Sequence, residues 1–207
     1  MTARSKLMAF LLLAAAVAGG FLAARHGAPK PPVALASGTL LAPAHPLADF
    51  SLIDNQGRPF GAANLRGHWS LMFFGYTHCP DFCPATLTVL AAVEKQLRAA
   101  RSVAPQVIFV SVDAKRDTPE QLNRFVPNFD PEFVGLTAVD QASIEQVVKK
   151  WGVAVAIQPT PSGDYIVDHS EAIFVIDPAG NLAAVLTGPF TVDAVQSDFR
   201  RIVTARA

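Results

Sequence analysis

The chain has 207 residues, 51% hydrophobic and 16% charged, with two cysteines, five histidines and a formal net charge of zero. This length and apolar content suit one domain with a substantial core plus an appendage, and they exclude a wholly disordered chain. The first thirty residues hold four of the 17 basic groups and no acid, so the remainder carries 13 basic against 17 acidic groups, net −4, and lacks the basic footprint of a nucleic-acid binder.

Arg4 and Lys6 precede the apolar run Leu7 to Ala24, interrupted only by Gly19 and Gly20. About 17 to 25 apolar residues cross a bilayer, so residues 1–24 read as an uncleaved signal anchor, a single transmembrane helix. Small residues such as Ala16-Val17-Ala18 leave cleavage open as the alternative. Basic residues ahead of the span place the N-terminus in the cytoplasm and the rest on the periplasmic, extracytoplasmic side of the inner membrane. Residues 25–45 are rich in Pro and Ala without helical or strand period, and read as a semi-extended linker to a domain over 46–207.

Asp49 to Ile53 and Arg58 to Phe60, around Asn55-Gln56-Gly57, predict a small N-terminal β-hairpin. Trp69 to Gly75 is a nearly continuous apolar run, as in a strand buried on both faces. Leu87, Leu90, Val93 and Leu97 then recur at helical spacing, and Val107 to Val112 predicts a second buried strand ending at Asp113. Thr118-Pro119-Glu120-Gln121 carries a capping-box signature for a helix bearing Leu122, Phe125 and Val126. Phe133 to Ala138 predicts a short strand, and Asp140 caps a helix with Ile144, Val147, Val148 and Trp151 on one face. The chain then reads as irregular through His169. Ala172 to Ile176, the turn Asp177 to Asn181 and Leu182 to Leu186 predict an antiparallel pair, and Thr191 opens a last helix with Val192, Val195, Phe199 and Ile202. The order gives an α/β fold with a sheet parallel at first and ending in a hairpin, a thioredoxin-like layout.

Cys79 and Cys83 stand four apart between a strand and a helix, where the helix N-terminus favours thiolates. A purely structural disulfide there would close a very short loop and stabilise little. Two chemistries remain: a metal (Cu(I), Cu(II) with an added oxygen donor, or zinc if other ligands join) or thiol-disulfide exchange. Two sulfurs leave copper short of donors, and His169, in Asp164 to Ser170 just before a core strand, is the best third donor, although a lone loop histidine is more often structural. His26 and His45 fall in the linker, His68 precedes a strand, and His78 is expected to point away from the sulfurs. Asp113 is a candidate oxygen partner or merely a loop cap, and Asp81 reads as solvated. A peroxidase reading is weak, because the proline and spacing of the Pro-x-x-x-Thr-x-x-Cys pattern are missing.

Phe73-Phe74-Gly75-Tyr76-Thr77-His78-Cys79-Pro80-Asp81-Phe82-Cys83-Pro84, Val110 to Asp113 with Arg116 to Glu120, Asp164 to Ser170, and Ile176 to Gly180 together resemble the Sco/SenC family of copper-binding proteins, in order, from about residue 46 to the end. Ala114 departs from the proline that family members often carry there. The resemblance implies a thioredoxin-like fold behind a single membrane anchor, copper held by Cys79, Cys83 and His169, and a metallochaperone role in assembling the copper A centre of cytochrome c oxidase. The partners it implies are the copper-bearing oxidase subunit, with other copper chaperones or thioredoxin-like reductants. The alternative is a thiol-disulfide oxidoreductase acting through Cys79 and Cys83 on partner cysteines in the same pathway, and a copper sensor is a third reading.

Overall fold

The computed structural model describes residues 34–161 and 163–206, so the expected anchor over 1–24 lies outside the described residues. Among the described residues, no helix is long and apolar enough to cross a membrane.

Strands β1 (Gly38–Pro46), β2 (Ser51–Asp54), β3 (Pro59–Gly61), β4 (Ser70–Gly75), β5 (Gln106–Ser111), β6 (Val134–Thr137), β9 (Ala172–Ile176) and β10 (Asn181–Thr187) form one eight-stranded sheet in the order β1-β10-β9-β4-β5-β6-β2-β3. Strands β7 (Val155–Pro159) and β8 (Tyr165–His169) form a separate antiparallel hairpin. Helices α1 (Phe82–Ala99), α2 (Pro119–Phe125), α3 (Gln141–Lys150) and α4 (Val192–Arg206) complete the architecture.

The apolar runs dictate the centre of the sheet. Every residue of β4 and β9 is buried, and β4 and β5 pair in parallel from Ser70 opposite Gln106 to Gly75 opposite Ser111. Continuous apolar strands of this kind tolerate only positions covered on both faces. Because neighbouring residues of a strand point to opposite faces, Phe73 packs against Phe82 at the start of α1, while Phe74 meets Trp151 at the end of α3. The two helices therefore cover opposite sides. Leu87, Leu90, Val93 and Leu97 of α1 are fully buried, as are Val195, Phe199 and Ile202 of α4.

Local chemistry sets the element boundaries. Thr118 Oγ1 accepts from Gln121 N at the start of α2, and Asp140 Oδ1 accepts from Ser143 N at the start of α3. At the expected hairpin, Asp54 Oδ1 accepts from the backbone N–H of Gln56 and Arg58, closing the turn between β2 and β3. Asp177 does the same for Ala179 and Asn181, with Gly180 at φ +84 supplying the left-handed residue.

Two expectations need correcting. Residues 38–45, read as part of the linker, form most of β1, an edge strand antiparallel to β10 whose register shifts between Leu40 and His45. Pro43 and Pro46 hid it, yet an edge strand accommodates proline because its outward N–H groups need no ladder partner. The segment 153–169, read as irregular, contains β7 and β8. Most of its residues are exposed or half-buried, so it lacks the one-faced alternation that reveals a strand.

Candidate metal centre at the cysteine loop

Strand β4 ends at Gly75, and the chain turns through Tyr76 to Asp81 before entering α1. Gly75 is required by crowding: a Cβ there would lie 2.6 Å from Phe109 Cε2 and 2.8 Å from Cys83 Sγ. The missing methyl is the space into which the Cys83 sulfur fits. Cys83 sits fully buried in the first turn of α1, Cys79 lies half-buried in the loop above it, and both are reduced.

The backbone N–H of Cys83 points at Cys79 Sγ over 3.3 Å, a direct consequence of the open N–H groups at a helix start. The Cys83 thiol lowers the pKa of Cys79 to about 4 by hydrogen bonding to its thiolate; burial opposes this, and the backbone N–H groups of Cys83 and Asp81 reinforce it. Cys83 shifts the opposite way, held protonated by that same bond and by burial. The surroundings thus favour the thiolate at Cys79 and the thiol at Cys83.

His169, the last residue of β8, brings Nε2 to 3.4 Å from Cys83 Sγ. Its Nδ1 lies 3.2 Å from the carbonyl oxygen of Ser170. A carbonyl can only accept, so the ring proton belongs on Nδ1 and the Nε2 lone pair faces the sulfurs. Edge contacts with Phe73 and Tyr76, ring centroids 6.1 Å away in each case, fix the plane of the imidazole.

A thiolate, a thiol and an oriented imidazole nitrogen make a soft donor set of the sort that suits Cu(I). As arranged here, among the described residues, no three or more Cys, His, Asp or Glu are grouped so as to hold a metal ion. The same groups also suit thiol exchange, because a depressed thiolate beside a buried, protonated second thiol pairs an attacking sulfur with a resolving one.

The remaining candidates fall outside the cluster. Asp113 is engaged elsewhere, with Tyr165 Oη donating to its Oδ1 at 2.8 Å and Arg116 Nε to its Oδ2. Its role is therefore structural. Asp81 is exposed and makes no side-chain cap bond at the helix start. His78 is directed to Thr77 Oγ1 at 3.1 Å, His68 to Gln106 Oε1 at 2.9 Å, and His45 lies in β1; His26 lies outside the described residues.

Two supporting residues escaped the sequence reading. Asp117, fully buried, accepts from Thr77 N at 2.8 Å, Thr77 Oγ1 at 2.7 Å and Ser111 Oγ at 2.6 Å, and so ties the cysteine loop to the end of β5. Arg116 ties the His169 hairpin to the same place: Nη1 donates to Asp164 Oδ1 and to the Tyr165 carbonyl, both at 3.0 Å, while the guanidinium stacks 3.8 Å over the Tyr165 ring. The Arg116-Asp117 dipeptide just past a strand end was the only available signal.

Fold and site together define a thioredoxin-like protein with a paired-cysteine and histidine cluster at the strand-to-helix junction. Residues 40–204 match the SCO1/SenC family model, and the chain belongs to that family. The "Protein SCO2 homolog, mitochondrial" of Bos taurus is 35% identical over 204 residues, 98% of this chain and 76% of that protein. Its Homo sapiens counterpart is 37% identical over 76% of this chain, which spans only 59% of the human protein. Among solved structures, Arabidopsis thaliana ScoI with copper bound has a TM-score of 0.73 at 32% identity, over 76% of this chain and 98% of that one.

Proposed function

We propose that this protein is a membrane-tethered copper metallochaperone that binds copper through Cys79, Cys83 and His169 and assists assembly of the copper A centre of cytochrome c oxidase, its domain lying on the extracytoplasmic face. The observation that carries the reading is the approach of His169 Nε2 to within 3.4 Å of Cys83 Sγ across 86 residues of sequence. Thiol exchange does not require an imidazole held in that orientation, whereas a soft cation short of donors does. Family membership and the copper-bound Arabidopsis relative support the choice of metal.

Copper is the cargo here. Cys79 presents its sulfur already as a thiolate in the half-exposed loop, and this is the end of the cluster from which an ion is exchanged with a partner's ligands. Cys83 must lose its proton on metallation, so uptake releases a proton and a Cys79–Cys83 disulfide blocks it. Titrating reduced protein with Cu(I) and Cu(II) should give one ion per chain, and His169→Ala should weaken binding and change the spectra. An unchanged titration in the variant removes His169 from the site.

The split protonation of the two thiols favours a second activity, reduction of partner disulfides. The Cys79 thiolate attacks a partner disulfide, forming a mixed disulfide and releasing one partner thiolate that takes a proton from water; Cys83 then attacks Cys79, its proton passing to the departing partner sulfur, so that a Cys79–Cys83 disulfide and a partner dithiol result. Insulin reduction run beside the copper titration separates the readings, since His169→Ala should cripple metal binding and leave reduction largely intact.

A further inference from the structure

The C-terminal ends of α1 and α4 meet at a cleft of about 460 Å³ lined by Arg101, Val103, Phe199, Arg200, Val203 and Thr204. Its apolar wall includes Val103, half exposed, and its rim carries two guanidinium groups. Neither the Arg101 nor the Arg200 side chain makes a hydrogen bond or ion pair with any described residue, although Arg98, Arg116, Arg201 and Arg206 all do. Segments 95–106 and 199–206 contain six basic residues and no acid, in a chain whose part beyond residue 30 is net −4. Of these six, Arg98 is paired with Glu94 and Glu132, and Arg101 and Arg200 are left to face the cleft.

Arg101 also adopts φ +51, the sole non-glycine residue with positive φ among those described. It occupies the left-handed position that ends α1, with Ser102 N bonding back to Leu97 O, a place where glycine is preferred. Keeping a long cation there at conformational cost points to a use for its side chain.

The chain enters the domain against the same helix, α4. Asp198 accepts from the N–H groups of Ala36 at 2.7 Å and Ser37 at 2.8 Å, and Arg201 donates to the Ala34 carbonyl at 2.8 Å, all from α4. If the apolar run ends at Ala24 in the bilayer, the nine residues 25–33 reach at most about 30 Å at roughly 3.3–3.6 Å each. On the anchor reading, that length holds the domain within about 30 Å of the membrane surface.

We propose that the Arg101–Arg200 cleft is a docking surface for anionic phospholipid, with the guanidinium groups on the lipid phosphates and Val103 and Val203 against the headgroup–acyl boundary. This rests on the anchor reading of residues 7–24 for its geometry and is independent of the copper site. Contact there fixes the orientation of the domain on the bilayer.

The full chain in nanodiscs of phosphatidylcholine alone, and with added phosphatidylglycerol, provides the test by hydrogen exchange of residues 100–104. Protection should appear in the anionic discs, fade at high salt, and be lost in Arg101→Gly/Arg200→Gln. Glycine suits the backbone at 101, so loss of protection in that variant does not reflect misfolding. Two basic groups near an anionic surface correspond to about a thirty-fold change in partition. Equal exchange in both lipid compositions, or protection surviving in the double variant, overturns the proposal. If the chain stays out of the discs, the anchor reading fails and sedimentation with phosphatidylglycerol vesicles decides: pelleting abolished by the double variant supports the surface, and no pelleting of the wild type overturns it. Copper stoichiometry should be the same in wild type and double variant.

Discussion

Cys79 and Cys83 share one short loop yet differ in protonation because their surroundings differ. Cys79 receives hydrogen bonds from the Cys83 thiol and from a helix N-terminal N–H; Cys83 is sealed in the core behind Gly75. Cys79 should therefore be alkylated first, at a rate nearly independent of pH from about 5 to 8, since its thiolate is lost only as pH falls through about 4. Cys83→Ala removes the largest contribution, and the inflection should rise toward the ordinary thiol range near 8.5. Iodoacetamide kinetics read by mass spectrometry decide this; a wild-type inflection already near 8.5 defeats the account of the pair. Both cysteines were legible in the sequence because their spacing is local. The division of roles was not, since it depends on which sulfur faces the core.

Among the elements, the β7–β8 hairpin matters most to the site, for it carries His169 while pairing with no strand of the main sheet. Its hold on the domain near Tyr165 is chiefly Arg116, through two hydrogen bonds, a ring stack and the Asp113–Tyr165 link. Hydrogen bonds to a charged group contribute about 1.5–3 kcal/mol each. Arg116→Gln should speed amide exchange across 155–169 by at least tenfold and weaken copper binding, while the urea midpoint of the domain changes little. Unaltered exchange in that segment would show that something else fastens the hairpin. The sequence marked His169 as the best third donor yet read its segment as irregular: with both faces half exposed, the strand has no hydrophobic period to display. Asp140 and Thr118, by contrast, announced their helices through capping chemistry that acts within three residues.

The whole molecule is closed at one edge by β1, which the buried Asp198 clasps to α4 through Ala36, Ser37 and the Ser37 hydroxyl. Asp198→Ala strips three donors of their acceptor, and a cost of about 1–3 kcal/mol is expected, with β1 peeling from β10. Urea denaturation gives the stability loss, and limited proteolysis with mass spectrometry should show new cleavage between residues 34 and 46. Resistance of that stretch in the variant would assign the clasp elsewhere. Such a clasp makes the edge strand part of the folded unit.

From the sequence alone came the α/β alternation, the buried centre of the sheet, the β2–β3 and β9–β10 hairpins and the paired thiols, because each is written in apolar period, turn residues or spacing over a few positions. Tertiary structure alone decided that a proline-bearing segment closes the sheet edge, that His169 sits on a strand held by Arg116, and that Asp117 braces the cysteine loop against β5. Those features join residues 40 to 148 positions apart, and such contacts leave no local pattern: they exist only once the chain has packed and its buried polar groups have found partners.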